Sequence, residues 1–212
     1  MDIIFLDIDG VLNCQSYFFK NHDKILNLYA DHVEERYKNS ASFRVDRLMM
    51  DIDRDKLNIL KNIIEDTGAK IIVVSSWKSL DSFDGLVKRL KAEGIPIIGK
   101  TVDNLYNRGA GIYQYLNTHN VDNYVILDDE VFSDYDKTLC DHLVKTSFYE
   151  DGLTKQHAEK AKIMLKSKIK RWQIGPSVLY FSQHVGVFIL KQFGGYYEKG
   201  RKKRRNFFKE KF

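Results

Sequence analysis

A chain of 212 residues that is 43% hydrophobic, 13% aromatic and 30% charged, with 13 glycines and 2 prolines, carries enough apolar material for one domain with a sizeable core. This composition excludes a disordered, fibrous or membrane-bundle protein, and two cysteines, Cys14 and Cys140, exclude a disulfide framework and fit a reducing, intracellular setting. The net charge of +5 is unevenly placed, because residues 165–212 hold thirteen Lys and Arg against two Asp and Glu, which leaves an acidic body carrying a basic tail.

The chain opens on residues 1–7 without the basic start of a signal peptide, and residues 3–7 read as a strand. Residues 14–51 interrupt the pattern, with a helix predicted over 23–38 from the spacing of Ile25, Leu28, Tyr29 and Val33. An insertion beside the C-terminal end of a strand lies where open α/β sheets bind ligands, so it reads either as a small cap over the site or as a surface excursion without a role. A helix over residues 53–66 puts Leu57, Leu60, Ile63 and Ile64 on one face and stops at Gly68. Residues 70–75 follow as a strand buried on both faces. Phe83, Leu86, Val87 and Leu90 then mark a helix that Gly94 ends, before a strand over 95–98. Ile112, Tyr115 and Leu116 mark a short helix, and the strand over 124–127 ends in Asp128-Asp129. A weaker strand over 142–146 and a helix over 154–166 close the series. The alternation predicts an α/β, Rossmann-like, doubly wound parallel sheet over residues 1–166, followed by a basic extension over 167–212 that is partly helical or disordered.

The chemistry gathers at the predicted strand ends. Asp7 and Asp9 stand two residues apart, so the strand period puts both on one side, and Gly10 lets the backbone turn beyond them. Asp128 and Asp129 end another strand of the same parallel sheet and open onto the same crevice. Acids crowded at one edge repel one another unless a cation joins them, and hard oxygen donors in an incomplete cage suit Mg²⁺. Ser75 ends a strand and, with Ser76, offers hydroxyl and N–H donors to a phosphate oxygen, while Arg108 precedes a helical segment and supplies a cation.

These segments resemble the haloacid dehalogenase-like (HAD) hydrolases. The first motif of that superfamily is matched by Phe5-Leu6-Asp7-Ile8-Asp9-Gly10-Val11-Leu12-Asn13, the second by Ile72-Val73-Val74-Ser75 and the fourth by Val125-Ile126-Leu127-Asp128-Asp129. More narrowly, Gly68-Ala69-Lys70-Ile71-Ile72-Val73-Val74-Ser75-Ser76-Trp77-Lys78, the Arg108-Gly109 helix start and Gly152-Leu153-Thr154 look like the HAD domains of bacterial and viral RNA repair proteins. The resemblance reaches residue 166 and not the tail. It implies that Asp7 is a nucleophile forming an aspartyl phosphate and that Asp9 protonates the leaving oxygen and later activates water. It also implies that Mg²⁺ is held by the Asp7 carboxylate, the Asp9 carbonyl and Asp128, with Asp129 as a further ligand or orienting group, and that Ser75 binds the phosphoryl group. The superfamily usually carries Lys as its third-motif cation; Arg108 has the spacing here, and Lys100 is the alternative.

The expected activity is therefore a Mg²⁺-dependent phosphomonoester hydrolase acting on a phosphorylated small molecule, a nucleotide or a nucleic-acid end. A small-metabolite phosphatase and a non-catalytic binding protein of the same fold are the rivals. Residues 199–211, opened by Lys199 and closed by Lys211, read as a nucleic-acid contact, a nuclear address, a contact to anionic lipid or a solvated end. No membrane-spanning helix is expected, because Pro176, Gln183, His184 and Lys191 break the apolar stretch of the tail short of a span. An intracellular, cytoplasmic location follows, or a nuclear one if the tail is an address.

Overall fold

The computed structural model describes residues 1–27, 34, 40–102 and 107–167, all within one compact unit, Met1–Lys170. Five strands, β1 (Asp2–Leu6), β2 (Lys70–Val73), β3 (Ile97–Lys100), β4 (Asn123–Asp128) and β5 (Leu143–Lys145), form one parallel sheet in the order β3-β2-β1-β4-β5. The central strand β1 pairs Phe5 with Ile72 of β2 and Ile126 of β4, so the first predicted strand sits at the middle of the sheet.

The two-residue period of each strand sends alternate side chains to opposite faces, and both faces are buried. Ile4, Leu6, Ile71, Val73, Val125 and Leu127 pack in one cluster with Leu57, Leu60 and Ile63 of α3 (Arg54–Thr67), Leu86 and Leu90 of α4 (Phe83–Ala92), and Ala158, Ala161 and Leu165 of α7 (Lys155–Lys166). Ile3, Phe5, Ile72, Val74 and Ile126 form the other cluster with Ile112 of α5 (Arg108–Thr118) and Leu139 of the short α6 (Lys137–Asp141). Helices thus cover both faces, the doubly wound arrangement expected from the alternation. The α3 helix starts where Asp53 caps the Asp55 N–H and ends at Gly68, whose φ of 69° gives the left-handed cap.

The 14–51 insertion differs from its prediction. Its helix α1 spans Gln15–Asn27 and so starts eight residues before the predicted helix over 23–38; residues 23–27 of that range are helical, and the rest of it lies outside the described residues apart from residue 34. The start is set by Phe18, buried against Phe148, and by the Gln15 N–H donating to the Phe148 carbonyl; these are long-range contacts that local periodicity does not register. A further helix, α2 (Ala41–Met50), was not anticipated; Ser40 caps it, and its Val45, Leu48 and Met49 pack on the main core. The Tyr17 hydroxyl donates to the carbonyls of Met50 and Ile52, tying the two ends of the insertion together.

Strand β3 also begins two residues later than expected, because Pro96 has no N–H for a ladder and offers its carbonyl to the Ile71 N–H instead. Strand β2 ends at Val73, and the residues to Ser75 lead into a single 3₁₀ turn, Ser76–Ser79. The predicted extension over 167–212 lies outside the described residues from residue 168 onward.

Candidate active site

The C-terminal ends of β1 and β4 bring the acids together. The Asp7 N–H donates to the Leu127 carbonyl at 2.9 Å, which locks the first residue past β1 against the C-terminal end of β4. Carboxylate oxygens of Asp7, Asp128 and Asp129, all buried, lie within 4.8 Å of one another. Gly10 makes this approach possible: its φ is 73°, and a Cβ there would stand 2.7 Å from the Cβ of Asp129. The Gly10 carbonyl accepts from the buried Thr146 hydroxyl at 2.6 Å, so the strand end after β5 also holds this turn.

Arg108, the first residue of α5, enters from the side. Its Nη1 contacts Asp7 Oδ2 at 3.0 Å and pairs with Asp128 Oδ2, and its guanidinium carbon lies 4.1 Å from the centroid of the Phe132 ring. Gly109 lets the helix approach, since a Cβ there would meet the Asp134 carbonyl at 2.7 Å. Burial works against the Arg108 charge, but the carboxylates of Asp7 and Asp128 outweigh it and keep the guanidinium firmly protonated. Asp128 is fully buried, and this burial together with the Asp7 charge pushes its carboxyl up to about 7 against the opposing pull of Arg108. Its Oδ1 accepts from the Glu130 N–H at 3.0 Å and its Oδ2 from the Tyr135 hydroxyl at 3.4 Å.

Asp9 is half-buried beside this group. Its Oδ1 accepts from Asn13 Nδ2 at 3.0 Å and its Oδ2 from Trp77 Nε1 at 2.9 Å. Asp51, at the C-terminal end of α2, pairs with Arg47; burial raises its carboxyl to about 6 over the opposing effect of Arg47, with the Asp9 charge adding to the rise. The 14–51 insertion therefore brings a charged pair into electrostatic reach of Asp9.

Of the residues singled out in the sequence, Asp7, Asp128 and Asp129 gather with carboxylate oxygens within 4.8 Å, Arg108 pairs with the first two, and Asp9 stands two residues along the same turn. Ser75 is fully buried at the end of the strand next to β1, where its Oγ accepts the Trp77 N–H at 3.4 Å and caps the 3₁₀ turn. Ser76 is exposed. Lys100, on β3 two strands from β1, donates from Nζ to the Lys78 carbonyl at 3.0 Å and lies 5.0 Å over the Phe83 ring. Sequence reasoning assigned no role to Trp77, Asn13, Tyr135, Thr146 or Asp51. Trp77 and Asn13 both fall inside the quoted motifs, and the signal was chemical: a buried indole N–H and a buried amide need acceptors, and the nearest acids are those of the first motif.

The cluster offers carboxylate oxygens from three acids, two of which pair with Arg108, so the residues present fit a hard divalent cation in both charge and donor type. No helix of the described residues is long and apolar enough to cross a membrane. Over residues 3–158 the chain matches the family described as the HAD domain in Swiss Army Knife RNA repair proteins. No curated protein and no solved structure gives a significant match.

Proposed function

This chain belongs to the HAD domains of Swiss Army Knife RNA repair proteins, a hydrolase superfamily, and from that premise we propose that it is a Mg²⁺-dependent phosphomonoester hydrolase working through an aspartyl phosphate on Asp7. The observation that carries this reading is the convergence of Asp7, Asp128 and Asp129 within 4.8 Å, with Arg108 reaching two of them. Asp7, Asp128, Asp129 and the Asp9 backbone carbonyl would hold Mg²⁺, which when bound offsets the repulsion between a phosphate dianion and the attacking carboxylate.

In the first half-reaction a carboxylate oxygen of Asp7 forms a bond to phosphorus as the bond to the leaving oxygen breaks, its electron pair passing to that oxygen along with a proton from Asp9. In the second, water attacks the same phosphorus and gives its proton to Asp9, and the bond to Asp7 breaks to release inorganic phosphate. Arg108 meets both carboxylates through Nη1, so other donors of its planar fork serve the transferring phosphoryl oxygens. The Ser75 hydroxyl accepts from Trp77 and keeps its own proton to donate to phosphate, and Ser76 adds a donor at the rim. Asp51, at the described end of the 14–51 insertion, lies in electrostatic reach of Asp9 and supports reading the insertion as a small cap beside this chemistry.

The family description and the charge of the tail support a nucleotide or a nucleic-acid terminal phosphate as the substrate class, with residues 199–211 holding the phosphate backbone irrespective of sequence. Free thiols at Cys14 and Cys140 support an intracellular site of action. The experiment is a turnover panel in Mg²⁺ with an aryl phosphate, free nucleotides, 3′- and 5′-phosphorylated oligonucleotides and sugar phosphates. Phosphate release abolished by a chelator, with nucleic-acid ends preferred, is the expected result; preference for sugar phosphates moves the substrate to small metabolites, and no release from any member contradicts the reading. Truncation after Gly195 should weaken oligonucleotide binding and its salt dependence while leaving aryl phosphate turnover unchanged, and equal binding by the truncated protein removes the tail from the account.

A further inference from the structure

A carboxyl group that gives a proton to one oxygen and later takes one from water has to be held in a single orientation, because proton transfer depends on aligned geometry. Both oxygens of Asp9 are held: Oδ2 by the Trp77 indole N–H at 2.9 Å and Oδ1 by the Asn13 amide at 3.0 Å. The two donors are themselves fixed. Trp77 is buried in the main core on the 3₁₀ turn that leaves β2, with its backbone N–H on Ser75 Oγ. Asn13 is fully buried, and its Oδ1 accepts the Gly10 N–H at 3.0 Å, so one amide fixes both the turn after Asp9 and the acid itself.

The chemistry of the donors suits the task. An indole N–H and a side-chain amide can donate but cannot accept the proton that Asp9 handles, so they orient it without competing for it. A carboxylate oxygen carries two lone pairs, so accepting one such bond does not by itself stop it from handling a proton. Building on the hydrolase reading above, we propose that Trp77 and Asn13 are positioning residues that clamp Asp9 for proton transfer to the leaving oxygen, and that this clamp is what admits esters of poorly acidic alcohols, such as the ribose hydroxyls of nucleic-acid ends. A buried indole that had only found its nearest acceptor would leave a different kinetic signature.

The test is the dependence of kcat/KM on the leaving group, measured for the full chain and for Trp77→Phe, which retains an aromatic ring and loses the N–H. The ratio kcat/KM covers only steps up to departure of the alcohol. An aryl phosphate with an acidic leaving group departs without a proton, whereas an alkyl phosphate needs one. General acids contribute roughly 10²–10⁴-fold, so Trp77→Phe should lower kcat/KM for alkyl phosphates by about tenfold or more and for activated aryl phosphates by less than about threefold. Asn13→Ala also removes the acceptor of the Gly10 N–H, so it should show the same selective loss on top of a loss common to the whole series, and the thermal midpoint of each variant is recorded alongside. An equal loss across the series in both variants, or no loss in either, overturns the clamp. If the unaltered chain turns over none of the esters, the hydrolase reading fails first and the clamp falls with it; if it turns over all of them, the series judges the clamp alone.

Discussion

Arg108 reaches Asp7 and Asp128 through one nitrogen, while Lys100 is engaged with the Lys78 carbonyl at the end of an outer strand. A cation that contacts the proposed nucleophile, Asp7, is placed to stabilise charge on the group that Asp7 would attack, and in a partly dehydrated site such stabilisation is large. Arg108→Ala should therefore lower kcat/KM about a hundredfold, roughly 3 kcal/mol of barrier, whereas Lys100→Ala should change it by less than about threefold. Steady-state kinetics on an aryl phosphate checks this, and the reverse ranking would assign the role to Lys100. At this scale the acids and Arg108 were legible, because each follows a strand or opens a helix in a short fixed pattern. Trp77 and Asn13 were not, because their partner, Asp9, is set by where the turn after β2 falls beside the turn after β1, which no local pattern encodes.

Two elements carry predictions of their own. The turn after β1 depends on Gly10: a left-handed φ costs a residue with a side chain about 1–2 kcal/mol, and at Gly10 the added Cβ would also press on Asp129. Gly10→Ala should lower the thermal midpoint and abolish most turnover, since the cheapest relief is to push Asp129 out of the carboxylate group; a variant with full activity contradicts the close approach. In the insertion, Asp51 is raised to about 6 from an ordinary value of 3.8, mainly by burial. The folded state thus binds the proton more tightly than the unfolded one. The stability this brings is complete below the ordinary value and is lost as pH rises through about 6. The stability difference between the unaltered chain and Asp51→Asn should shift by on the order of 2 kcal/mol against the unaltered chain between pH 4 and pH 8. Denaturant titrations across that range check the sign; a pH-independent difference contradicts it. The elements whose apolar spacing is local, α3, α4 and the central strands, were read correctly from the sequence. The start of α1 and the whole of α2 were not, because Phe18 against Phe148 and Val45 against the core act across long stretches of chain.

At the scale of the molecule, the strand order β3-β2-β1-β4-β5 explains why residues far apart in sequence share one crevice: β1 and β4 are neighbours at the centre of the sheet, so Asp7 and Asp128 meet at their ends. The alternating pattern predicted the parallel sheet, and right-handed crossovers leave few ways to wind it. The central claim is that Asp7 takes the phosphoryl group. The most direct measurement is acid quenching of the full chain during turnover of a phosphomonoester in Mg²⁺, followed by peptide mass analysis. The account predicts one phosphoryl group on the peptide bearing Asp7, labile in base and absent from Asp7→Asn, which should also be inactive. Steady turnover with no such adduct, an adduct on another residue, or an active Asp7→Asn variant would contradict it.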